Sequence, residues 1–295
     1  MTTVKSYISN IQSQLTAVYP ADEAEALAWW IAEETTGLSR TQLQFGHKGT
    51  TNFPNVQEII ARLLRFEPIQ YIFGHTEWYG LDLKVTPATL IPRPETAELV
   101  DAVRAKAEEI EAEKLSPMPI NHSPLHVLDI GTGSGCIAIA LKKQHPEWCV
   151  TGIDISPEAI SIAKENAVRN NVELDFQVAD IFDFSAKEGH DSSGFNGTFD
   201  MVVSNPPYIC NKEKASMRRN VLDYEPASAL FVPDDDPLLF YRHIASLRLG
   251  KYLFFEINEA YSSELYAMLE GLSYTDIRII HDIYGKPRII ESRVA

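Results

Sequence analysis

An apolar run, Phe199-Asp200-Met201-Val202-Val203, stops against Ser204-Asn205-Pro206-Pro207-Tyr208. Such a run reads as a buried strand of a parallel sheet, and two successive prolines, which lack the N–H that a ladder needs, force the chain out at the strand's C-terminal end. In an open α/β sheet that edge is where ligands bind. Asn205 offers a side-chain carbonyl and Pro206 a main-chain carbonyl, while the ring of Tyr208 can lie against a planar group. Two acceptors and an aromatic face suit a planar –NH2 group. Taken alone, Asn-Pro-Pro is read equally well as a loop breaker, a common role of paired prolines.

The rest of the chain supplies the sheet. From Leu125 onward strand and helix patterns alternate, as they do in a doubly wound parallel sheet. Strands are expected at 126–130, 149–153, 174–178, 201–203, 252–257, 274–280 and 288–292, with helices at 136–144, 157–170, 237–247 and 262–269. Residues 4–66 instead carry apolar side chains at helical spacing, among them Tyr7, Ile8, Ile11 and Leu15, which fits a small helical bundle. Its Trp29-Trp30 pair reads as core and groove lining rather than a cofactor box. Residues 70–81 are aromatic and β-prone with turn-spaced glycines, as in a hairpin bridging two domains. Leu99, Val100, Val103 and Ala107 mark a helix to about Ile110, and loops are expected at 111–124 and 185–198. The expected domains are therefore 1–73, helical and partner-binding; 74–94, a hairpin linker; and 95–295, the catalytic sheet.

Bulk properties narrow the partners. A chain of 295 residues with formal net charge −15 lacks the basic footprint of a nucleic-acid binder. Cys136, Cys149 and Cys210 are odd in number and show no C-x-x-C spacing, which argues for reduced thiols and against a metal site. There is no signal-like N-terminus and no apolar run long enough for a membrane span, so a cytoplasmic location is expected.

A second motif sharpens the first. Val127-Leu128-Asp129-Ile130 runs into Gly131-Thr132-Gly133-Ser134-Gly135 and then a helix, a corner whose glycines permit positive φ and let a ligand approach backbone N–H groups. The spacing is G-x-G-x-G, not the G-x-G-x-x-G of dinucleotide sites, which weakens a nicotinamide or flavin reading. Nineteen residues beyond Gly135, Asp154 ends the next strand where an acidic side chain can accept both hydroxyls of a ribose. Asp180, ending a third strand, is a candidate acceptor for an adenine amino group, with Ile181 and Phe182 as apolar cover. For Phe182 by itself, core packing is the stronger reading.

An adenosine site without the pyrophosphate fingerprint, followed by Asn-Pro-Pro-Tyr on the fourth strand, resembles the seven-strand, Rossmann-like S-adenosylmethionine-dependent methyltransferases that methylate a planar-bound nitrogen. The tracts Pro68 to Gly74, Leu90-Ile91-Pro92-Arg93-Pro94-Glu95-Thr96, Leu128 to Gly135, Ser204 to Ile209, Glu225-Pro226 and Gly285-Lys286-Pro287-Arg288 are similar to those of the bacterial peptide-chain release factor glutamine methyltransferases. A relative acting on a ribosomal protein shares Asn-Pro-Pro-Tyr but lacks the Ile-Pro-Arg-Pro-Glu-Thr form. Ala97, Asp235-Asp236-Pro237 and Glu256-Ile257-Asn258 depart from the family pattern outside the cofactor glycines and Asn-Pro-Pro-Tyr.

The resemblance implies S-adenosylmethionine as cofactor, held by Gly131, Thr132, Gly133, Ser134, Gly135, Asp154, Asp180, Ile181, Phe182 and Asn205. It implies catalysis at Asn205, Pro206, Pro207 and Tyr208 on the Gly-Gly-Gln glutamine of class I release factors; a monomer is expected, and the charge and hydropathy above leave no nucleic-acid or membrane partner expected. Arg93 and Glu95 shape the pocket rim or form an internal ion pair. The alternative is an adenine-N6 methyltransferase using the same carbonyl pair on a flipped base.

Overall fold

The computed structural model describes residues 3–46, 53–114, 124–184 and 199–295. Two compact units emerge: Met1–Gly74 with Arg218–Tyr224, and His75–Met217 with Glu225–Ala295.

In the first unit Thr3 opens α1 (Val4–Leu15) with a capping box: its hydroxyl accepts the Ser6 N–H and its own N–H donates to the Ser6 hydroxyl. The second helix, α2 (Ala21–Thr36), buries Ala24, Ala28, Ile31 and Ala32 along one stripe and stops at Gly37 in the left-handed region. With a π-helical turn (Gln42–Gly46) and α3 (Gln57–Leu63), they enclose Ile11, Leu15, Ile31, Leu43, Ile60 and Leu63. Trp29 and Trp30 are half-buried against this core. Arg40 lies 4.7 Å over the Trp29 ring, and the Trp30 N–H donates to Glu34. From 218–224, Arg219 covers the Phe66 ring at 4.6 Å and the Tyr224 hydroxyl donates to the Arg65 carbonyl.

Residues 70–73, expected in a hairpin, are helical: α4 (Ile69–Phe73) starts after Pro68 and is closed by Gly74 at φ 78°. A proline at the helix start and a glycine at its end outweigh the β propensity of Tyr71, Ile72 and Phe73.

The hairpin proper is β1 (His75–Trp78) and β2 (Leu81–Lys84), turned by Tyr79-Gly80 with both φ positive, the two-residue turn that matches strand twist. It falls within the second unit. Asn166 and Asn170 on a following helix hydrogen-bond its edge like a third strand: Asn166 with the N–H and carbonyl of Lys84, Asn170 with those of Asp82.

The helix after the two prolines, α5 (Thr96–Lys114), runs past its expected end at Ile110, so 111–114 is helical. The remainder of that expected loop, 115–123, and the whole expected loop 185–198 lie outside the described residues. Then follow β3 (His126–Ile130), α6 (Cys136–Gln144), β4 (Cys149–Asp154), α7 (Pro157–Arg169), β5 (Asp175–Val178) and β6 (Phe199–Ser204). A short parallel pair, β7 (Ile209–Cys210) and β8 (Phe231–Val232), flanks α8 (Arg219–Tyr224). The chain closes with α9 (Leu239–Leu247), β9 (Gly250–Glu256), α10 (Ser262–Gly271), β10 (Tyr274–His281) and β11 (Pro287–Val294).

The sheet order is β10-β11-β9-β6-β3-β4-β5, with β11 antiparallel to both of its neighbours. Side chains alternate between two cores, as strand geometry requires. Val127, Met201, Val203 and Phe254 face the layer holding α5 and α6, while Leu128, Val202, Leu253 and Phe255 face α9 and α10. From β3 the chain moves outward through β4 and β5, then returns to β6 on the other flank of β3. That reversal opens a crevice above the carboxyl ends of β3 and β6.

Candidate active site

Asp129 points into the core of β3 and organises the corner that follows. Its Oδ2 accepts the Thr132 hydroxyl at 2.6 Å and the Ala138 N–H at 3.3 Å. Its Oδ1 is buried without a partner. Burial pushes this carboxyl up to about 7, against the opposing pull of those two bonds.

The corner consumes its own donors. Gly131 and Thr132 N–H both go to the Ile153 carbonyl at 2.9 Å, Gly133 N–H goes to Asp154 Oδ2 at 2.9 Å, and Gly135 N–H goes to the Thr132 carbonyl at 2.8 Å. The expectation that these amides face a ligand is thus corrected for these four. Parallel-strand register sets Asp154 directly beside the loop, and its side chain captures Gly133. Asp154 Oδ1 also accepts the Ser156 N–H, and burial raises its pKa.

Gly135 is corrected too, since it does not line the cavity. A Cβ there would lie 3.0 Å from Ile139 Cδ1 and Phe176 Cζ, so this glycine serves helix–strand packing.

The cavity above these strands has a volume of about 250 Å³. Gly131, Thr132, Gly133 and Ser134 form its floor, with Asp154 and Asp180 at one side. Asp180 caps a 3-10 turn, its Oδ1 accepting the Phe182 N–H. Ile181 lines the cavity and is buried. Phe182 lines it as well and is 41% exposed, so its ring is cavity wall and not core. It leans on His243 and meets Phe240 edge-on, both from α9.

At the opposite end Ser204 is locked by its hydroxyl to the Ile130 carbonyl at 2.7 Å, and the chain leaves β6. Asn205, Pro206 and Pro207 line the cavity; Tyr208 does not. The Asn205 Nδ2 donates to Thr96 Oγ1 at 3.4 Å, Thr96 Oγ1 donates to Glu256 Oε2 at 2.7 Å, and the Tyr208 hydroxyl donates to Glu256 Oε1 at 3.1 Å. Burial raises the pKa of both Glu256 and Tyr208. The strap 91–96 is tied down by Glu225, whose side chain is 1% exposed. It pairs with Arg93 at 2.6 Å and accepts the Ile91 N–H at 3.3 Å. Arg93 therefore both lines the cavity and forms an internal ion pair.

Sequence reasoning missed Asp129, Thr96 and Glu256, and also Phe240 and Ile244, which enter the cavity from α9. Asp129 was legible as an acid inside an apolar strand, and Thr96 as the end of the Ile-Pro-Arg-Pro tract. Phe240 carried no local signal.

A methyltransferase-domain model matches residues 121–232 and a PrmC N-terminal-domain model matches residues 7–74. A release factor glutamine methyltransferase of Bacteroides thetaiotaomicron is 43% identical over 95% of this chain and 96% of its own length. One of Flavobacterium psychrophilum is 37% identical over 98% of each. The chain belongs to the release factor glutamine methyltransferase family. It is a methyltransferase, and S-adenosylmethionine is its donor. The fold is shared with the catalytic domain of hMettl16, crystallised with a MAT2A 3′UTR hairpin, at TM-score 0.52 and 15% identity over 74% of this chain and 77% of that one.

The residues present fit this donor. A corner whose amides are spent internally offers no row of N–H groups to a phosphate. S-adenosylmethionine is a cation without phosphate, and the Asp154 and Asp180 side chains that line the cavity suit positive charge and hydroxyl donors. Among the described residues no cluster of His, Cys, Asp or Glu could hold a metal ion, and no helix is long and apolar enough to cross a membrane.

Proposed function

We propose that this enzyme, working as a monomer in the cytoplasm, methylates the side-chain amide nitrogen of the glutamine in the Gly-Gly-Gln motif of class I peptide-chain release factors. The observation that carries the reading is the orientation of Asn205. With its Nδ2 committed to Thr96, its Oδ1 has no hydrogen bond among the described residues, at a position lining the cavity.

When bound, S-adenosylmethionine supplies an electrophilic methyl whose departure leaves a neutral thioether. Gly131 to Ser134 would cradle it, Asp154 would accept its ribose hydroxyls, and Asp180, Ile181 and Phe182 would hold its adenine. The chain's task is the nucleophile. An amide nitrogen is poor in that role because resonance draws its lone pair into the carbonyl. Asn205 Oδ1 and the Pro206 carbonyl accept the two amide hydrogens and fix the nitrogen for in-line attack. Their dipoles face the positive charge that grows on nitrogen, fixed before the reaction begins. Pro207 keeps the turn rigid. Tyr208, tied to Glu256, borders the acceptor face. The surplus proton leaves nitrogen for water after the C–N bond has formed. The helical unit docks the release factor.

Methyl transfer offered to a release factor beside duplex and single-stranded oligonucleotides tests the reading. Label should enter the release factor at glutamine and not the nucleic acid, and Asn205→Ala should abolish it with cofactor affinity kept. Label in an oligonucleotide, or equal loss of transfer and cofactor binding in Asn205→Ala, refutes it.

A further inference from the structure

Glu256 is a buried carboxylate that the proposed mechanism leaves with no chemical task. Both of its oxygens are used: Oε2 by the Thr96 hydroxyl at 2.7 Å and Oε1 by the Tyr208 hydroxyl at 3.1 Å. Its backbone carbonyl is held as well, accepting the hydroxyl of Tyr241 at 3.0 Å. The group is thus immobilised from three directions at the end of β9, next to β6 in the sheet.

The directions of these bonds have a consequence for Asn205. Thr96 has one hydroxyl proton and spends it on Glu256 Oε2. The Thr96 oxygen then offers lone pairs alone. Only an N–H can face it, so Asn205 presents Nδ2 to Thr96 and its amide oxygen turns the other way. A Thr96 proton not claimed by Glu256 could instead go to Asn205 Oδ1. The amide would then turn over, setting –NH2 against the –NH2 of the acceptor glutamine, donor against donor.

We infer that Glu256, acting through the Thr96 hydroxyl, is a positioning residue that fixes which end of the Asn205 amide faces the acceptor, and through Tyr208 holds the other flank of Asn-Pro-Pro-Tyr. This rests on the glutamine-methylating role of Asn205 proposed above. Glu256 touches neither substrate nor cofactor. Its effect is to remove one of two nearly isosteric amide orientations, a choice that the shape of the site cannot make because oxygen and NH2 are alike in size.

Three variants test it, each assayed for release-factor methylation, cofactor affinity and melting temperature. Glu256→Gln keeps shape but can donate to Thr96 and so frees the Thr96 proton; Thr96→Val keeps shape without a hydroxyl; Thr96→Ser restores the hydroxyl. We expect kcat to fall on the order of tenfold or more in Glu256→Gln and Thr96→Val, about what losing one aligned hydrogen bond to the reacting group costs. Cofactor affinity should stay within a few-fold of wild type, and Thr96→Ser should recover most of the loss. Wild-type kcat in Glu256→Gln or Thr96→Val overturns the inference. So does a parallel loss of cofactor affinity and melting temperature, or a Thr96→Ser enzyme as slow as Thr96→Val. Wild-type enzyme that fails to methylate release factor at all would instead sink the functional reading beneath it.

Discussion

Two glycines of one motif should fail in different ways when given the same methyl group. Gly131 and Gly135 both sit in the left-handed region, at φ 72° and 81°, so alanine at either meets backbone strain of about 1–2 kcal/mol, partly offset by a stiffer unfolded chain. Their surroundings differ. A Cβ at Gly131 meets no atom within 4 Å, whereas one at Gly135 meets Ile139 Cδ1 and Phe176 Cζ at 3.0 Å and Ala163 Cβ at 3.1 Å. None of the three neighbours can step aside freely. Phe176 is buried and is pinned from below by Gly152, where a Cβ would come within 2.6 Å of the same ring. Overpacking adds about 1–3 kcal/mol. Gly131→Ala should then cost about 1 kcal/mol and Gly135→Ala about 2–4 kcal/mol. At roughly 2–4 °C per kcal/mol for a unit of this size, that separates a shift of about 2–4 °C from one of about 4–16 °C. Scanning calorimetry of the full chain, with the transition of the sheet-bearing unit followed in each variant, reads the difference. Equal shifts would refute the assignment of Gly135 to packing.

Two further outcomes follow from buried polar groups. Asn166 donates to the carbonyls of Lys84 and Ser134 and accepts the Lys84 N–H, so Asn166→Ala should destabilise by about 2–4 kcal/mol, measured by urea unfolding, whereas a neutral result would show that water replaces all three bonds. The Asp129 carboxyl, lifted by burial from 3.8 to about 7, binds a proton in the folded state that the unfolded chain has already lost. Its stability contribution is therefore present at low pH and is lost as pH rises through about 7. In ligand-free protein, wild type should lose a few kcal/mol between pH 5 and 8.5 relative to Asp129→Asn, and parallel pH profiles of the two unfolding free energies would contradict this.

The legible parts of the molecule are those whose cause is local. The sheet strands announce themselves because a strand buried on both faces is apolar along its length, as Phe199 to Val203 is, and because two prolines must end it. Tyr79-Gly80 marks a turn by the same local logic. Where reading by propensity fails, at 70–73, the deciding signals were local as well: Pro68 and Gly74 bracket one helical turn and a half, and three β-prone side chains could not outvote them. The site's supports are a different case. Thr96 and Glu256 lie 160 positions apart and meet only because α5 packs against β9. Lys84 meets Asn166 across 82 positions, and no pattern around either residue foretells it. Gly135 looks like Gly131 and Gly133 in the sequence, yet it faces a packed interior, a distinction that Phe176 makes from another strand.

The polarity of the site follows from this arrangement. In an ordinary phosphate-binding corner the backbone turns its N–H groups outward; here Ile153, Asp154 and Thr132 take those of Gly131, Thr132, Gly133 and Gly135. Asn205 turns its oxygen away from Thr96. A corner spent in this way suits a cation or an N–H edge better than a phosphate. The two reactants of amide methylation are of those kinds, a sulfonium and a carboxamide. The fixed oxygens can meet positive charge as it passes from sulfur towards nitrogen without reorienting, and that preorganisation is where the rate enhancement has to come from when the nucleophile is as weak as an amide and no base stands beside it.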